Sequence, residues 1–315
     1  IIQYYGAGIN SSGASTLKIT NDSHVDNNSA LQYGGGIANY KAGASVTIDN
    51  STVSNNTAIK GAGIYNKGIV LIQNGAKLKD NIASTYTYSD GKKTISTGGA
   101  IYNEGSSVII DASTVDSNEA EFGAGIYSKS GALTVRNGST VSNNEATTNG
   151  GGINLESSAG LSVTGSTFDS NSAAFGGAIA GVENTGTTSI VSSIIKDNTA
   201  TKSGGALLFQ NAGDVTIEGT KFSGNRATTG DGGAILANGT VISIDKDSSD
   251  NLTVFDGNSA VNGGGAIEVV GDGAGLSVAN AKFTKNTSTN FGGAITTVDG
   301  INSTIVIDNV QFGDG

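Results

Sequence analysis

The sequence of 315 residues predicts one elongated all-β domain, a single-stranded parallel β-helix of about eleven coils that spans residues 1–315. Two short signatures recur on a common period from end to end, with a short alternating strand between them, as in solenoid proteins. Glycine contributes 49 residues, and no stretch shows the 3.6-residue period of a helix. Each unit therefore reads as strand pieces separated by turns.

The first signature is a glycine-rich tetrapeptide that ends in Ile or Leu, mostly 25 to 28 residues after the previous one. Its last residues are Ile9, Ile37, Ile64, Ile101, Ile126, Ile153, Ile179, Leu207, Ile235, Ile267 and Ile295. Glycine permits the positive φ needed at a corner and the close passage of neighbouring backbones. Period-two alternation predicts that the second glycine and the Ile point inward and that the Ala between them points outward.

The second signature is an apolar residue followed three positions later by Asn, with Ala two residues further on in nine of ten cases. These asparagines are Asn28, Asn56, Asn81, Asn118, Asn144, Asn171, Asn198, Asn225, Asn258 and Asn286. We expect the apolar residue in the core and the amide at a bend, bonded to turn backbone and to the same Asn in neighbouring coils. We interpret this column as a structural ladder rather than a set of ligands.

Short alternating strands such as Val46/Ile48 and Val215/Ile217 lie between the signatures. A single unit cannot bury these side chains, whereas coiling pairs each unit with the next and creates a continuous core. At a strand spacing of about 4.8 Å, eleven coils give a rod roughly 50 Å long.

Composition restricts the function classes. A net charge of −10, with Arg136 and Arg226 as the only arginines, disfavours nucleic acid and anionic lipid as partners. Cysteine is absent, which excludes disulfides, zinc-thiolate sites and thiol catalysis. No apolar run is long enough for direct membrane insertion, and no signal peptide is visible at Ile1, so we expect a mature or excised piece. The abundance of Asn, Ser and Thr favours an extracellular location on a bacterial cell surface.

The tetrapeptides resemble the repeat of chlamydial polymorphic membrane proteins and related autotransporter adhesins, in which GGA(I/L/V) alternates with FxxN. GGAI occurs at Gly98–Ile101, Gly176–Ile179, Gly232–Ile235, Gly264–Ile267 and Gly292–Ile295, with GGAL at Gly204–Leu207. FxxN occurs at Phe168–Asn171, Phe222–Asn225, Phe255–Asn258 and Phe283–Asn286, whereas earlier coils carry GAGI or GGGI with VxxN or LxxN. The resemblance implies a right-handed β-helical passenger that is exposed on a cell surface and used in adhesion.

Two insertions interrupt the repeat, at 84–97 and 245–252. The first carries Tyr86 and Tyr88 ahead of a Ser-Asp-Gly turn and reads as a protruding hairpin that offers these tyrosines to a ligand. The second contains Asp245, Asp247 and Asp250, spaced loosely like the start of a calcium loop but without its turn glycine and terminal Glu. A solvated acidic loop is the favoured interpretation, with Ca²⁺ as the alternative and no other cofactor implied.

Three tyrosines, Tyr65, Tyr102 and Tyr127, each directly follow the inward Ile in three consecutive coils. Alternation predicts that they point outward in one column, where they could form a flat platform for sugar rings or a partner protein. The alternative is an aromatic ladder that only stiffens the sheet.

These features favour a non-catalytic adhesin that binds a host-cell surface protein or glycan. A filament or surface-layer subunit that stacks on itself end to end is the second hypothesis, since we see no capping segment at either end. A polysaccharide lyase or hydrolase is the third. The acidic residues do not recur in one column, and His24 is the only histidine, so the residues suggest no catalytic group.

Overall fold

The computed structural model describes residues 3–13, 15–298 and 304–313, and within these ranges every regular element is a β-strand. The strands wind into the predicted parallel β-helix of about eleven turns. Apart from one two-stranded pair, they belong to three parallel sheets that run along the length of the solenoid.

The first sheet, here called the isoleucine sheet, contains one strand from each of eleven coils. Its strands are Ile9–Ser11, Ile37–Asn39, Ile64–Asn66, Ile101–Asn103, Ile126–Ser128, Ile153–Leu155, Ile179–Val182, Leu207–Gln210, Ile235–Asn238, Ile267–Val270 and Ile295–Thr297. The signature residues lie in register, so that Ile64 pairs with Ile37 on one side and Ile101 on the other.

The second sheet, the double-row sheet, has twenty strands. Nine coils add two consecutive strands each, and each of the last two coils adds one long strand. The strands are Thr16–Ile19, His24–Asp26, Ser45–Asp49, Thr52–Ser54, Ile69–Gln73, Lys77–Lys79, Ser107–Asp111, Thr114–Asp116, Ala132–Arg136, Thr140–Ser142, Gly160–Thr164, Thr167–Asp169, Thr188–Val191, Ile194–Lys196, Val215–Glu218, Lys221–Ser223, Val241–Asp245, Thr253–Asp256, Gly275–Thr284 and Thr304–Phe312. The first row is the alternating strand and the second holds the apolar residue of the Asn signature.

The third sheet, the alanine sheet, follows the asparagine bend. Its nine strands are Thr57–Ala58, Ile82–Ala83, Glu119–Phe122, Glu145–Asn149, Ser172–Phe175, Thr199–Ser203, Arg226–Ala227, Ser259–Ala260 and Thr287–Ser288. The separate pair of Gln3–Tyr5 and Ala30–Tyr33 completes the strand inventory. A regular coil therefore has four strands, one more than the sequence pattern predicts, because a left-handed residue such as Asn143, at φ +52°, starts a new strand at the bend.

The prediction that the Ala of the glycine tetrapeptide points outward is wrong. Ala100, Ala178 and Ala206 are fully buried and belong to the core. The first glycine explains the error, since Gly98 has φ +66° and the tetrapeptide turns instead of continuing the strand. A Cβ on Gly98 would clash with the carbonyl oxygen of Ile101, so this corner requires glycine.

The core is a continuous column of Ile, Val, Leu and Phe between the isoleucine and double-row sheets. The phenylalanines of the Asn signature stack along it, with ring centroids 4.8 Å apart between Phe222 and Phe255 and 4.7 Å apart between Phe255 and Phe283. Among the described residues there is no helix of the length and apolarity needed to cross a membrane.

The asparagines form a continuous ladder of amide hydrogen bonds from Asn28 to Asn286. In each step the Nδ2 of one Asn donates to the Oδ1 of the next at 2.9–3.0 Å. That Oδ1 also accepts from the backbone N–H of the preceding Asn, as Asn144 does from Asn118 at 3.1 Å. A second, shorter ladder links Asn39, Asn66 and Asn103 at 2.7 and 2.8 Å.

Replacing a ladder asparagine in mid-column should destabilise the chain strongly. Asn144→Ala removes two donated bonds, takes one of three acceptors from Asn118 Nδ2, and leaves the backbone N–H of Asn118 without its acceptor. At about 1–3 kcal/mol per buried unsatisfied group, we expect a loss of roughly 3–5 kcal/mol, measured from the urea midpoint. Asn28→Ala is the control, because the Asn28 side chain accepts no ladder bond, and it should cost clearly less. Equal losses would contradict the ladder as a cumulative interaction.

Candidate functional site

The three tyrosines of the isoleucine sheet form one column on the outer side of the core. Tyr65 pairs in register with Tyr102, and Tyr102 with Tyr127. Their rings are nearly parallel, with centroids 5.4 Å apart in the first pair and 5.2 Å apart in the second. The stack thus runs along the solenoid axis.

This column does not form the exposed flat platform that alternation suggested. Tyr65 and Tyr102 are 2% exposed and Tyr127 is 9% exposed. Tyr33 and Phe122, from strands on the alanine-sheet side of the chain, pack against the same cluster. A groove therefore lies between the two faces, and the rings are covered by each other and by this opposite wall.

The tyrosine hydroxyls are occupied by an internal carboxylate. Tyr65 donates to Glu104 Oε1 at 2.5 Å, Tyr102 donates to Glu104 Oε2 at 3.2 Å, and Lys67 Nζ lies 3.2 Å from Oε1. Burial, and then Glu104, raise the pKa of both tyrosines. Burial alone would raise the pKa of Glu104, but the hydrogen bonds from Tyr65 and Lys67 outweigh it and lower that pKa. Glu104 therefore stays ionised and holds the stack together.

The 84–97 insertion is an antiparallel hairpin, as its sequence predicts. Thr87 pairs with Lys93, and the backbone N–H of Tyr88 donates to the carbonyl of Lys92 at 2.8 Å. Tyr86 and Tyr88 are 45% and 47% exposed, and their rings pack edge to face with centroids 5.2 Å apart. This projection exposes aromatic surface to solvent.

Cavities lie on both sides of the hairpin. One of about 540 Å³ is lined by Tyr86 together with Ala58 and Ile59, and one of about 390 Å³ by Tyr88 with Lys60 and Lys93. The hairpin therefore stands over a groove that mixes aromatic, aliphatic and cationic side chains. Such a combination can hold a ligand through apolar contact and hydrogen bonds at once.

The carboxylates of the acidic insertion bond to separate protein groups and do not converge on one site. Asp247 is buried, and its carboxylate accepts hydrogen bonds from the side chains of Asn251 and Ser192, which lower its pKa to about 2. Asp250 pairs with Lys246, while Asp245 accepts from Asn280 at 2.8 Å. Across the described part of the chain, no three His, Cys, Asp or Glu side chains are grouped so as to hold a metal ion. The calcium interpretation of this loop therefore gains no structural support, because the carboxylates turn to separate protein partners.

One acidic pair escaped sequence analysis. Glu268 lies within the strand Ile267–Val270 rather than in a turn, and it occupies the position of the tyrosine column three coils beyond Ala180. Its Oε2 is buried without a hydrogen-bond partner. Burial, and then the nearby Asp231 carboxyl, raise the pKa of Glu268 to about 7. The sequence signal, an acid in a column that is apolar in the three preceding coils, is visible only once the register is known.

The fold is also recognised by comparison with known families. Residues 7–193, more than half of the chain, match the family described as right handed beta helix region. The chain belongs to this family of right-handed β-helices. Residues 219–238, 252–269 and 280–298 match the Chlamydia polymorphic membrane protein repeat, which confirms the resemblance seen in the GGAI and FxxN motifs. A β-helix with these repeats fits a surface-exposed, passenger-type protein.

Neither the curated proteins nor the solved structures include a match to this chain.

Truncating the middle ring of the tyrosine column should test its structural role. Tyr102→Ala empties a buried site between two stacked rings, so we expect a loss of about 3–5 kcal/mol in the free energy of unfolding. Tyr88→Ala, on the exposed hairpin, should change it by less than about 0.5 kcal/mol. Thermal and urea denaturation of both variants measure the difference. A small loss for Tyr102→Ala would show that the stack is dispensable.

Glu268 should make stability depend on pH. Because its folded pKa, about 7, lies above the ordinary 4.5, its favourable contribution is complete below pH 4.5 and disappears as the pH rises through 7. Glu268→Gln should therefore match the wild type near pH 4.5 and be more stable at pH 8, by on the order of 3 kcal/mol. Urea midpoints at both pH values test this, with exposed Glu145→Gln as control. A difference independent of pH would refute it.

Proposed function

We propose that this chain is a non-catalytic, passenger-type β-helix on a bacterial cell surface that binds a host-cell protein or glycan through the 84–97 hairpin. The observation that carries the proposal is the pair of exposed, mutually packed tyrosines, Tyr86 and Tyr88, raised above the solenoid beside open cavities. Exposed tyrosines provide large contact area with few rotatable bonds, which suits recognition. The family repeats support display outside the cell.

The electrostatics of the grooves support a binding role. Lys60 and Lys93 line the cavity that Tyr88 shares with the solenoid, and the Nζ of Lys60 lies 5.1 Å from the ring centroid of Tyr102. In a chain with a net charge of −10, these two lysines can attract acidic groups of a partner. Lys93 also lines the adjoining cavity with Glu119 and Glu121, so charges of both signs lie beside the hairpin. The solenoid holds the cavity walls in place by strand pairing on both sides.

A binding role is favoured over hydrolysis because of where the acids lie. Cleavage of a glycosidic bond requires two carboxylates that face each other across an accessible substrate. Glu268 beside Asp231 is buried in the wall of the solenoid, and Asp247 is buried against Ser192 and Asn251. These carboxylates are placed to interact with protein groups.

The hairpin can be tested with two substitutions that leave the solenoid untouched. The double variant Tyr86→Ser/Tyr88→Ser should bind a panel of cultured animal cells at least roughly tenfold more weakly than the wild type, since exposed aromatic anchors carry much of an interface. Flow cytometry with the labelled full chain measures this. Ile194→Ser, an exposed apolar side chain on the double-row sheet, is the matched control and should bind normally. Unchanged binding by the double variant would overturn the hairpin as the site.

A further inference from the structure

A smaller cavity of about 340 Å³ lies where the tyrosine column ends, in the groove beside the hairpin. Its walls include Phe122 and Tyr127, the amides Asn149 and Asn154, and the exposed hairpin residue Ile95. The volume falls near the lower end of the range for small-molecule pockets. It therefore suits a single small ligand group.

The cavity exists because one coil replaces large side chains with amides on both walls. In the isoleucine sheet the column runs Tyr127, Asn154, Ala180, and each residue pairs with the next in register. On the opposite wall Phe122 pairs with Asn149, and Asn149 pairs with Phe175. In the preceding coil Phe122 packs against the tyrosine column, and in the following coil Phe175 packs against the cluster of Ala180, Leu208 and Leu236. The coil of Asn149 and Asn154 has no ring at either position.

Two polar atoms of residues that line this cavity lack hydrogen-bond partners. Asn154 Oδ1 and Thr97 Oγ1 are buried with none, and each residue is 5% exposed. More than 90% of buried polar groups in proteins are bonded, and an unsatisfied one costs roughly 1–3 kcal/mol. Both residues contribute to the walls of the same cavity, so the side chains that carry the two unbonded oxygens lie beside the space that a ligand would fill.

An aromatic surface adjoins these polar atoms. One face of Tyr127 stacks on Tyr102, while the next residue of the column beyond its other face is the smaller Asn154. Phe122 is only half-buried at the opposite wall. A flat ligand with apolar C–H faces and hydroxyl edges would place its faces against these rings and its edges against the amides.

The charge and donor pattern define the class of ligand. Glu156 and Glu183 stand at the rim and repel an acidic sugar such as a sialic or uronic acid. A Lys or Arg side chain would suit the carboxylates but has no acceptor for the amide N–H groups of Asn149 and Asn154. Hydroxyl groups both donate and accept, and they match amides, threonine and carboxylates alike.

We infer that this cavity binds one neutral pyranose unit of a glycan. The inference rests on the proposed adhesin function, because it assigns a sugar-binding subsite to the groove beside the hairpin. The ring packs on Tyr127 and Phe122, and its hydroxyls bond to the side-chain amides of Asn149 and Asn154 in the cavity wall.

Substitutions at Asn154 test the subsite, because the column itself shows which residues fit there. Asn154→Tyr extends the stack of Tyr102 and Tyr127 into the cavity, and Asn154→Ala copies Ala180 of the next coil. The probes are an array of neutral and sialylated glycans, followed by calorimetric titration of the neutral glycan that gives the strongest signal. Asn154→Tyr should abolish binding and Asn154→Ala should weaken it at least tenfold, while neither lowers the melting temperature.

Other outcomes contradict the inference. If wild-type chain binds only sialylated glycans or an oligoarginine peptide, the ligand class is wrong. If no glycan binds, or if both variants bind a neutral glycan normally, the cavity is not the subsite. Cell binding separates these failures from failure of the proposed function. If the wild type binds no glycan but binds cells, and Tyr86→Ser/Tyr88→Ser loses cell binding, only the sugar subsite is wrong. If the wild type binds a neutral glycan through Asn154 but binds no cells, only the adhesin role is wrong.

Discussion

The in-register hydrogen bonding of each coil to the next is the interaction on which the rest of the molecule depends. The backbone N–H of Ile64 donates to the carbonyl oxygen of Ala100 in the following coil at 2.8 Å, and equivalent hydrogen bonds recur along the isoleucine sheet. Because the register is parallel, each residue lies against its counterpart one repeat away. A residue chosen once in the repeat therefore becomes a column in the structure, and the properties of the column, rather than of the single residue, determine stability.

Stacking in columns changes the partners that buried polar and aromatic side chains use. A buried asparagine usually needs backbone partners, but here each amide is satisfied largely by another amide, with a bond of 2.9 Å from Asn144 to Asn171. Aromatic rings follow the same rule, since stacking about 5 Å apart covers both faces of every ring except the last. This explains why an outward tyrosine column is not a platform: the faces that would meet a sugar are already packed against neighbouring rings.

The repeat made the architecture predictable, because period, strand alternation and asparagine spacing all depend on local sequence. The hairpin could be predicted for the same reason, from its Ser-Asp-Gly turn and alternating Tyr86 and Tyr88. The burial of Tyr102 could not, since it depends on Phe122 and the course of the chain after the asparagine bend. Ala100 was misplaced because a positive φ at Gly98 breaks the alternation on which the prediction relied. These errors share a cause, which is that turn geometry, not strand period, decides which faces meet.

The same reasoning separates architecture from function along the groove. A residue that continues its column is explained by stacking, and no ligand is needed to account for it. Asn149 and Asn154 do the opposite, because rings flank Asn149 on both sides and Tyr127 precedes Asn154, and stacking alone would favour aromatic side chains there. The amides give up packing and leave Asn154 Oδ1 unbonded. Function is expected at positions where a sequence departs from its local pattern at a cost in stability. Asn149 and Asn154 are two such positions, and both line one cavity beside the hairpin.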